Sequence, residues 1–469
     1  MARVSSKPEA VAVLDVGKAS VRLLAVAPDG KFLSTRSAPN LVGDGEPYPH
    51  CDTQHIWRWL MAALGDLGER FAIRAIVPTG YGATAALVAD GDLVLPIMDY
   101  DAEPPDDIAA AYAEVAPWFE ECCCPILPAG GTLARQLFWQ RRAFPEAYRR
   151  ARWILPFAQY WAWGLCGVPA SEVTSLGSQT QLWNPRERDF SELAKDQGWD
   201  ALLPPLRNGW DVLGPLQLEV AQECELPADT PVLCGVHALG ARYARYLAAG
   251  LDDFTLLSRG RWLIGWNTAL PLAGLDPFRN TVSNVDLLGR PVACARFMPA
   301  REHALIAGEG NRAEAGIADV EALIAAGTVA LPGFGDSGGP YPESAGQGLI
   351  AGPMPATARA RSALASLYVA LMTSAMLDLL RSANRVIVEG GRAEDLLLAR
   401  LLAALRRGQQ VTYAREADGA ALGAALLWGW QDRDEPVPLD LETIEATEVA
   451  GLADYALRWR AWATPVGAL

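Results

Sequence analysis

The residues able to do chemistry in this chain sit at the ends of apolar runs. Asp15 closes the first of them, VAVLDV, and a second run, VRLLAV, follows after Gly17-Lys18-Ala19-Ser20. Two β-branched runs with a short Gly-containing joint predict a hairpin. A carboxylate beside a tight turn with free backbone N–H groups can hold Mg²⁺ and receive phosphate oxygens. An ordinary hairpin with a polar turn would read the same way. Further along, IRAIVPTGYG ends on Thr79-Gly80-Tyr81-Gly82, and a second hairpin turning at Asp90-Gly91 ends on Asp99 and Asp101. Strand ends where glycines and acids gather are where α/β proteins bind ligands, although solvated loop caps share that composition.

The elements that must position these residues alternate. Helical periodicity covers 54–71, then 132–165 with interruptions at Pro145 and Pro156, then 358–382, the run EDLLLARLLAALRR and 419–430. Between them, TPVLCGVHALGARYARYL reads as a buried strand, a turn at Gly235 and an amphipathic helix, and RVIVEGG as a strand closing on Glu389-Gly390-Gly391. DDFTLLSRGRWLIGW repeats the opening hairpin, now turning through Ser258-Arg259-Gly260-Arg261, which suggests two related halves. The alternation predicts an α/β fold, divided into an N-terminal domain over 1–240 and a C-terminal domain over 241–469.

Bulk properties narrow the function classes. With 469 residues, 51% hydrophobic and 20% charged, the chain can bury two real cores. A formal net charge of −15 argues against an extended nucleic-acid surface. The polar opening ARVSSKPEA and the absence of an uninterrupted apolar run of about 20 residues point to a cytoplasmic protein without a membrane span. The 16 Trp leave room for an apolar homodimer interface. The eight Cys form no CxxC pair, and the adjacent Cys122-Cys123-Cys124 cannot easily ligate one tetrahedral zinc together. Gly335-Asp336-Ser337-Gly338-Gly339-Pro340 matches the nucleophile hexapeptide of trypsin-like proteases, but helical patterns flank it where a β-barrel is required. No GxxxxGK[ST] phosphate loop occurs.

The ordered set DVGKASVRL, TGYGATAALVADGDLVLPIMDYD, TQLWNPRERDFS, LCGVHALGARYARYL, FTLLSRGRWLIGW, RFMPAREHALIAG, IVEGGRAEDLLLARLLAAL and DGAALGAALL resembles the FGGY family of carbohydrate kinases, most closely its rhamnulokinase and fuculokinase-like branch. The resemblance covers nearly the whole chain. It implies a two-domain actin/hexokinase-like fold, each domain with a ribonuclease-H-like sheet and the active site in the cleft between them. It implies ATP as phosphoryl donor, Mg²⁺, and a small sugar or sugar alcohol as acceptor. By position, Asp15 matches the family's metal-associated acid, and Gly17, Lys18, Ala19 and Ser20 its first phosphate hairpin. Thr79, Gly80, Tyr81, Gly82, Ala83, Asp99 and Asp101 match substrate-side segments. Arg259, Gly260 and Arg261 match the second phosphate hairpin, Glu389, Gly390 and Gly391 the turn beside the nucleotide, and Gly419 with Gly423 the closing segment near adenosine.

Three departures bear on the chemistry. The branch usually carries G-V-H-D, whose Asp takes the proton from the sugar hydroxyl; here Gly235-Val236-His237-Ala238 puts Ala238 at that position. The second phosphate hairpin, usually Ser-Thr-Gly-Thr, is Ser258-Arg259-Gly260-Arg261, and Tyr81 stands where relatives often place His. His237, one residue from the base position, is the nearby group whose neutral imidazole can accept a proton near pH 7. An active sugar kinase and a catalytically weak relative kept for binding or regulation both follow from this pattern.

Overall fold

The computed structural model describes residues 7–43, 45–259, 262–335, 338–390, 393–416 and 418–464. The chain divides into two compact units, and neither is continuous in sequence. The first comprises Met1–Leu251, Ser283–Pro291 and Asp418–Pro438; the second comprises Asp252–Val282, Val292–Ala417 and Leu439–Leu469. A single cut at 240/241 would fall inside the helix Ala238–Ala248.

The first unit is built on β1 (Glu9–Val16), β2 (Ser20–Val26), β3 (Phe32–Pro39), β4 (Ala72–Gly80), β5 (Val212–Pro215), β6 (Pro231–Leu233) and β7 (Val236–His237). The sheet order is β5-β6-β4-β1-β2-β3, with β7 also pairing β4. Apart from Asp15 and Arg22, the opening runs are apolar on both faces because both faces of this sheet are covered. Val11, Val13, Leu24 and Val26 pack toward helices Ala238–Ala248 and Gly419–Ala425. Alternate residues Ala12, Leu14, Leu23 and Ala25 pack toward helices Thr53–Arg70 and Phe157–Cys166. Thr53–Arg70 starts where Asp52 accepts from the His55 N–H, and it buries Ile56, Leu60, Leu64 and Leu67 on one stripe.

The second unit repeats the plan with β8 (Phe254–Arg259), β9 (Leu263–Asn267), β10 (Pro291–Phe297), β11 (Arg385–Glu389), β12 (Val411–Ala414) and β13 (Leu441–Ile444). Here β8 is antiparallel to β9 and parallel to β11, as β1 is antiparallel to β2 and parallel to β4. The repeated hairpin expected from sequence is therefore a repeat of topology. Helix Ala358–Leu379 has the length and composition to cross a bilayer, but 89% of its most apolar window is buried within this unit, which makes it a core helix.

Several elements depart from expectation. Trp153–Pro156, expected within a helical stretch, is a strand paired with Ala85–Ala89; its aromatic and β-branched residues suit a pleated surface better than a helix. The helix expected over 419–430 ends at Ala425, and a strand (Leu441–Ile444) and a helix (Leu452–Ala463) follow it. The Gly/Pro-rich loop after Val329–Leu331 returns as the short strand Leu349–Ala351.

Candidate active site

In the first unit three parallel strand ends line up. Asp15 pairs in register with Thr79 and Val16 with Gly80, while Val236 pairs with Thr79 and His237 with Gly80. The carboxyl ends of β1, β4 and β7 therefore share one edge, the place where ligands bind to open α/β sheets.

The hairpin turn is tight: the Gly17 N–H donates to the Ser20 carbonyl at 3.0 Å, and Asn40 clamps it by donating to the Gly17 and Ala19 carbonyls. Asp15 is 6% exposed and lies opposite Arg22 in the hairpin register. The Arg22 guanidinium ion-pairs with both Asp15 and Asp418. Burial works against its charge, but the two carboxylates outweigh that and raise its pKa. Arg22 was not singled out by sequence reading. The available signal was the pleat: Asp15 and Arg22 flank the turn at mirrored positions, so their side chains share a face. Lys18 points away from this cluster. It ion-pairs with Asp99 and Asp101, the latter at 3.1 Å, and lies 4.3 Å from the centre of the Tyr100 ring. One residue expected on the phosphate side is thus joined to two expected on the sugar side.

Thr79 is fully buried and its hydroxyl has no partner among the described residues. Tyr81 packs between Phe157, at 4.6 Å between ring centres, and Tyr100, at 5.3 Å. Burial foremost, with nearby Cys51 and Asp99, holds its phenol well above the usual range. Gly82 is required by close approach: a Cβ there would lie 2.8 Å from His237 Nε2. The Thr79–Gly82 turn thus closes directly against His237.

His237 precedes helix Ala238–Ala248, with extended φ/ψ of −61° and 138°. Its N–H donates to Thr174 Oγ1 at 3.0 Å, and Thr174 donates in turn to Glu172 at 2.6 Å. Its Nδ1 lies 3.5 Å from Ser178 Oγ. Burial lowers its pKa to about 4, so the ring is neutral at physiological pH. Ala238 opens the helix, and no side chain caps that end. Glu172 is wholly buried; it also accepts from the Ser175 N–H at 3.0 Å, while its other oxygen has no partner among the described residues. Burial raises its pKa to about 7. Sequence reading passed over Glu172 and Thr174 because they lie in a connection without periodicity.

Gly419 opens a short helix directly after Asp418, and all of Gly419–Ala425 is buried. A Cβ on Gly423 would stand 1.8 Å from the Ala241 carbonyl, so this glycine serves the crossing of two helices within the first unit. In the second unit, Arg259 ion-pairs with Asp395 at 2.6 Å, the two side chains 7% and 3% exposed. Gly390 admits that carboxylate, since a Cβ there would meet Asp395 at 2.3 Å. Glu389 ends β11 and is 3% exposed. Gly260, Arg261 and Gly391 lie outside the described residues, as do Asp336 and Ser337 of the Gly-Asp-Ser-Gly-Gly loop.

Among the described residues no group of three or more His, Cys, Asp or Glu is arranged to hold a metal ion. Mg²⁺ carried by a polyphosphate needs only one or two protein carboxylates. Asp15 and Asp418, both gripping Arg22, supply that number. The donor set fits a phosphate-borne Mg²⁺ rather than a self-contained metal centre.

Comparison with known proteins identifies the family of the chain and its fold. Residues 251–436 match the model of the C-terminal domain of FGGY carbohydrate kinases. A carbohydrate kinase from Novosphingobium aromaticivorans superposes with a TM-score of 0.86 at 31% identity, over 98% of this chain and 99% of that one. A glycerol kinase from Plasmodium falciparum, solved with ADP, shares the fold at a TM-score of 0.77 and 12% identity, over 98% of both chains. L-fuculokinase of Escherichia coli K12 is 26% identical over 279 residues, 55% of this chain and 56% of that protein. The chain thus spans about half the length of the curated relatives it matches. Near-complete coverage by a relative above 30% identity, together with the matched domain, establishes that the chain belongs to the FGGY family of carbohydrate kinases.

Proposed function

We propose that this protein is an ATP-dependent kinase of a small sugar (a ketose, deoxy sugar or polyol) that turns over slowly. The observation that carries this reading is the shared edge of β1, β4 and β7, which gathers Asp15, Thr79–Gly82 and His237 but no carboxylate at position 238. When bound, ATP supplies the phosphoryl group and Mg²⁺ the charge that neutralises its oxygens.

The chain's own residues divide the remaining work. Asp15 and Asp418 hold cationic charge at the end of β1. The 17–20 turn presents backbone N–H groups to phosphate oxygens. Tyr81, Asp99 and Asp101 bound the sugar side, with Lys18 fixing the two acids. His237 is the neutral group closest to the vacant base position and can accept the hydroxyl proton. A base with a pKa of about 4 does so less readily than one near 7, so this step is slow.

A second reading, a relative retained for ligand binding or regulation, is favoured by Ala238 and by the Arg259–Asp395 pair, which already engages an arginine of the second phosphate hairpin. Measuring ADP release over a panel of sugars with Mg·ATP, for the natural chain and for Ala238→Asp, separates the two. Clear turnover by the natural chain supports the kinase. Turnover by Ala238→Asp alone leaves the natural protein as a binder, and no thermal stabilisation by nucleotide would overturn both readings.

A further inference from the structure

We propose an accessory binding site for a neutral saccharide in the first unit, formed by the loop leading into β5 and the segment after helix Gly419–Ala425. Between them lies an open cavity of about 660 Å³, within the range of small-ligand sites. Trp210 and Trp430 stack in its wall, their ring planes 13° apart and their centres 5.9 Å apart, and Trp428 adds a third indole. Arg207, Asp211 and Asp432 supply planar polar groups on the same lining. Both carboxylate oxygens of Asp211 are anchored by Asn208, which fixes that acid in place.

This combination selects its ligand class. A pyranose or furanose presents C–H groups on one face, which suit an indole plate, and hydroxyls on its rim, which suit guanidinium and carboxylate planes. Two acids against one arginine disfavour a phosphate or nucleotide, while Arg207 disfavours an organic cation. Trp210 and Trp430 already stack on each other, so an occupant does not insert between them as a flat base would require.

The cavity is wired to the strand ends. The carbonyls flanking Trp210 accept from the two peptides just before β7: Asp211 O from the Cys234 N–H at 2.9 Å, and Gly209 O from the Gly235 N–H at 3.1 Å. Gly235 has φ +78°, and a Cβ there would lie 2.2 Å from the Pro78 carbonyl, so this turn has little slack. On the other wall, Leu427 follows the helix that begins after Asp418, the partner of Arg22. An occupant that orders the Trp210 loop therefore steadies the His237 turn.

The test titrates the full-length protein with maltose and L-fucose, following tryptophan fluorescence and bound stoichiometry, with inorganic phosphate, ATP and choline as charged controls. The proposal expects saccharide binding that weakens at least about tenfold in Trp430→Ala and persists in Asp99→Asn. It also expects slower amide exchange at Gly235 and His237 when the saccharide is bound. Val212→Trp, which fills the cavity from an exposed edge-strand position, should block binding even if Trp430→Ala fails to fold. Binding that survives both cavity variants, that is lost in Asp99→Asn, or that is seen only with phosphate, ATP or choline would overturn it. Because binding is read directly, absence of kinase turnover leaves this test intact.

Discussion

The two hairpins that open the two sheets share a topology and invert their electrostatics. In the first, an acid at the strand end is held by an arginine from the next strand, and that arginine also reaches a second acid. In the second, an arginine at the strand end is held by an acid from a helix. The first cluster carries two carboxylates on one guanidinium and remains partly open, with Arg22 28% exposed. The second pair, Arg259 with Asp395, is nearly sealed from solvent. A repeated backbone can thus keep charge available in one copy and spend it internally in the other.

Four measurements press on that contrast. If the first unit lacks only its base, Ala238→Asp should raise kcat by roughly 10²–10⁴-fold with little change in KM, and an unchanged rate would mean the deficit lies elsewhere. Arg259→Ala should destabilise the protein by up to about 3–5 kcal/mol, because it removes an ion-pair partner from the buried Asp395 carboxylate, while nucleotide affinity by calorimetry stays within about threefold. A large affinity loss at full stability would reverse the roles assigned to the two arginines. Arg22→Ala should cost less stability, about 2 kcal/mol, yet abolish most nucleotide-dependent thermal stabilisation; adding Asp15→Asn should recover part of the stability loss.

The smallest effect concerns pH. Glu172, raised to about 7, contributes stability that is complete below its unfolded pKa near 4.5 and is lost as pH rises through 7. His237, lowered to about 4, contributes stability that is complete above 6.5 and is lost as pH falls toward 4. The two slopes oppose each other between about 4.5 and 6.5, so the natural protein should show a flat denaturation profile there. Glu172→Gln should unmask a rise on the order of 1–2 kcal/mol across that window. A variant as flat as the parent would show that neither group titrates as its burial implies.

The sequence made the strand ends legible because each closes an apolar run on Gly or an acid: Asp15, Thr79–Gly82 and His237 do share one edge. It hid whatever depends on register or on distant segments. Arg22 becomes visible only once β1 and β2 are paired. Glu172 and Thr174 sit in an aperiodic connection and matter through one backbone hydrogen bond. Gly423, matched through the family resemblance to the segment near adenosine, also meets the Ala241 carbonyl, a contact between helices that sequence alone does not show. The unit boundaries escaped because contact across the fold, and not composition, returns Ser283–Pro291 and Asp418–Pro438 to the first unit.

That return has a consequence for biosynthesis. The sheet face bearing Val11, Val13, Leu24 and Val26 is covered in part by Gly419–Ala425, which leaves the ribosome some 390 residues after the strands it protects. During synthesis the nascent first unit carries a half-covered apolar face while the bulk of the second unit is still being made. A chain cut after Leu251 keeps helix Ala238–Ala248 but leaves the rest of that face uncovered, so it should bind chaperones and precipitate, whereas adding a peptide spanning Asp418–Pro438 in trans should restore its solubility.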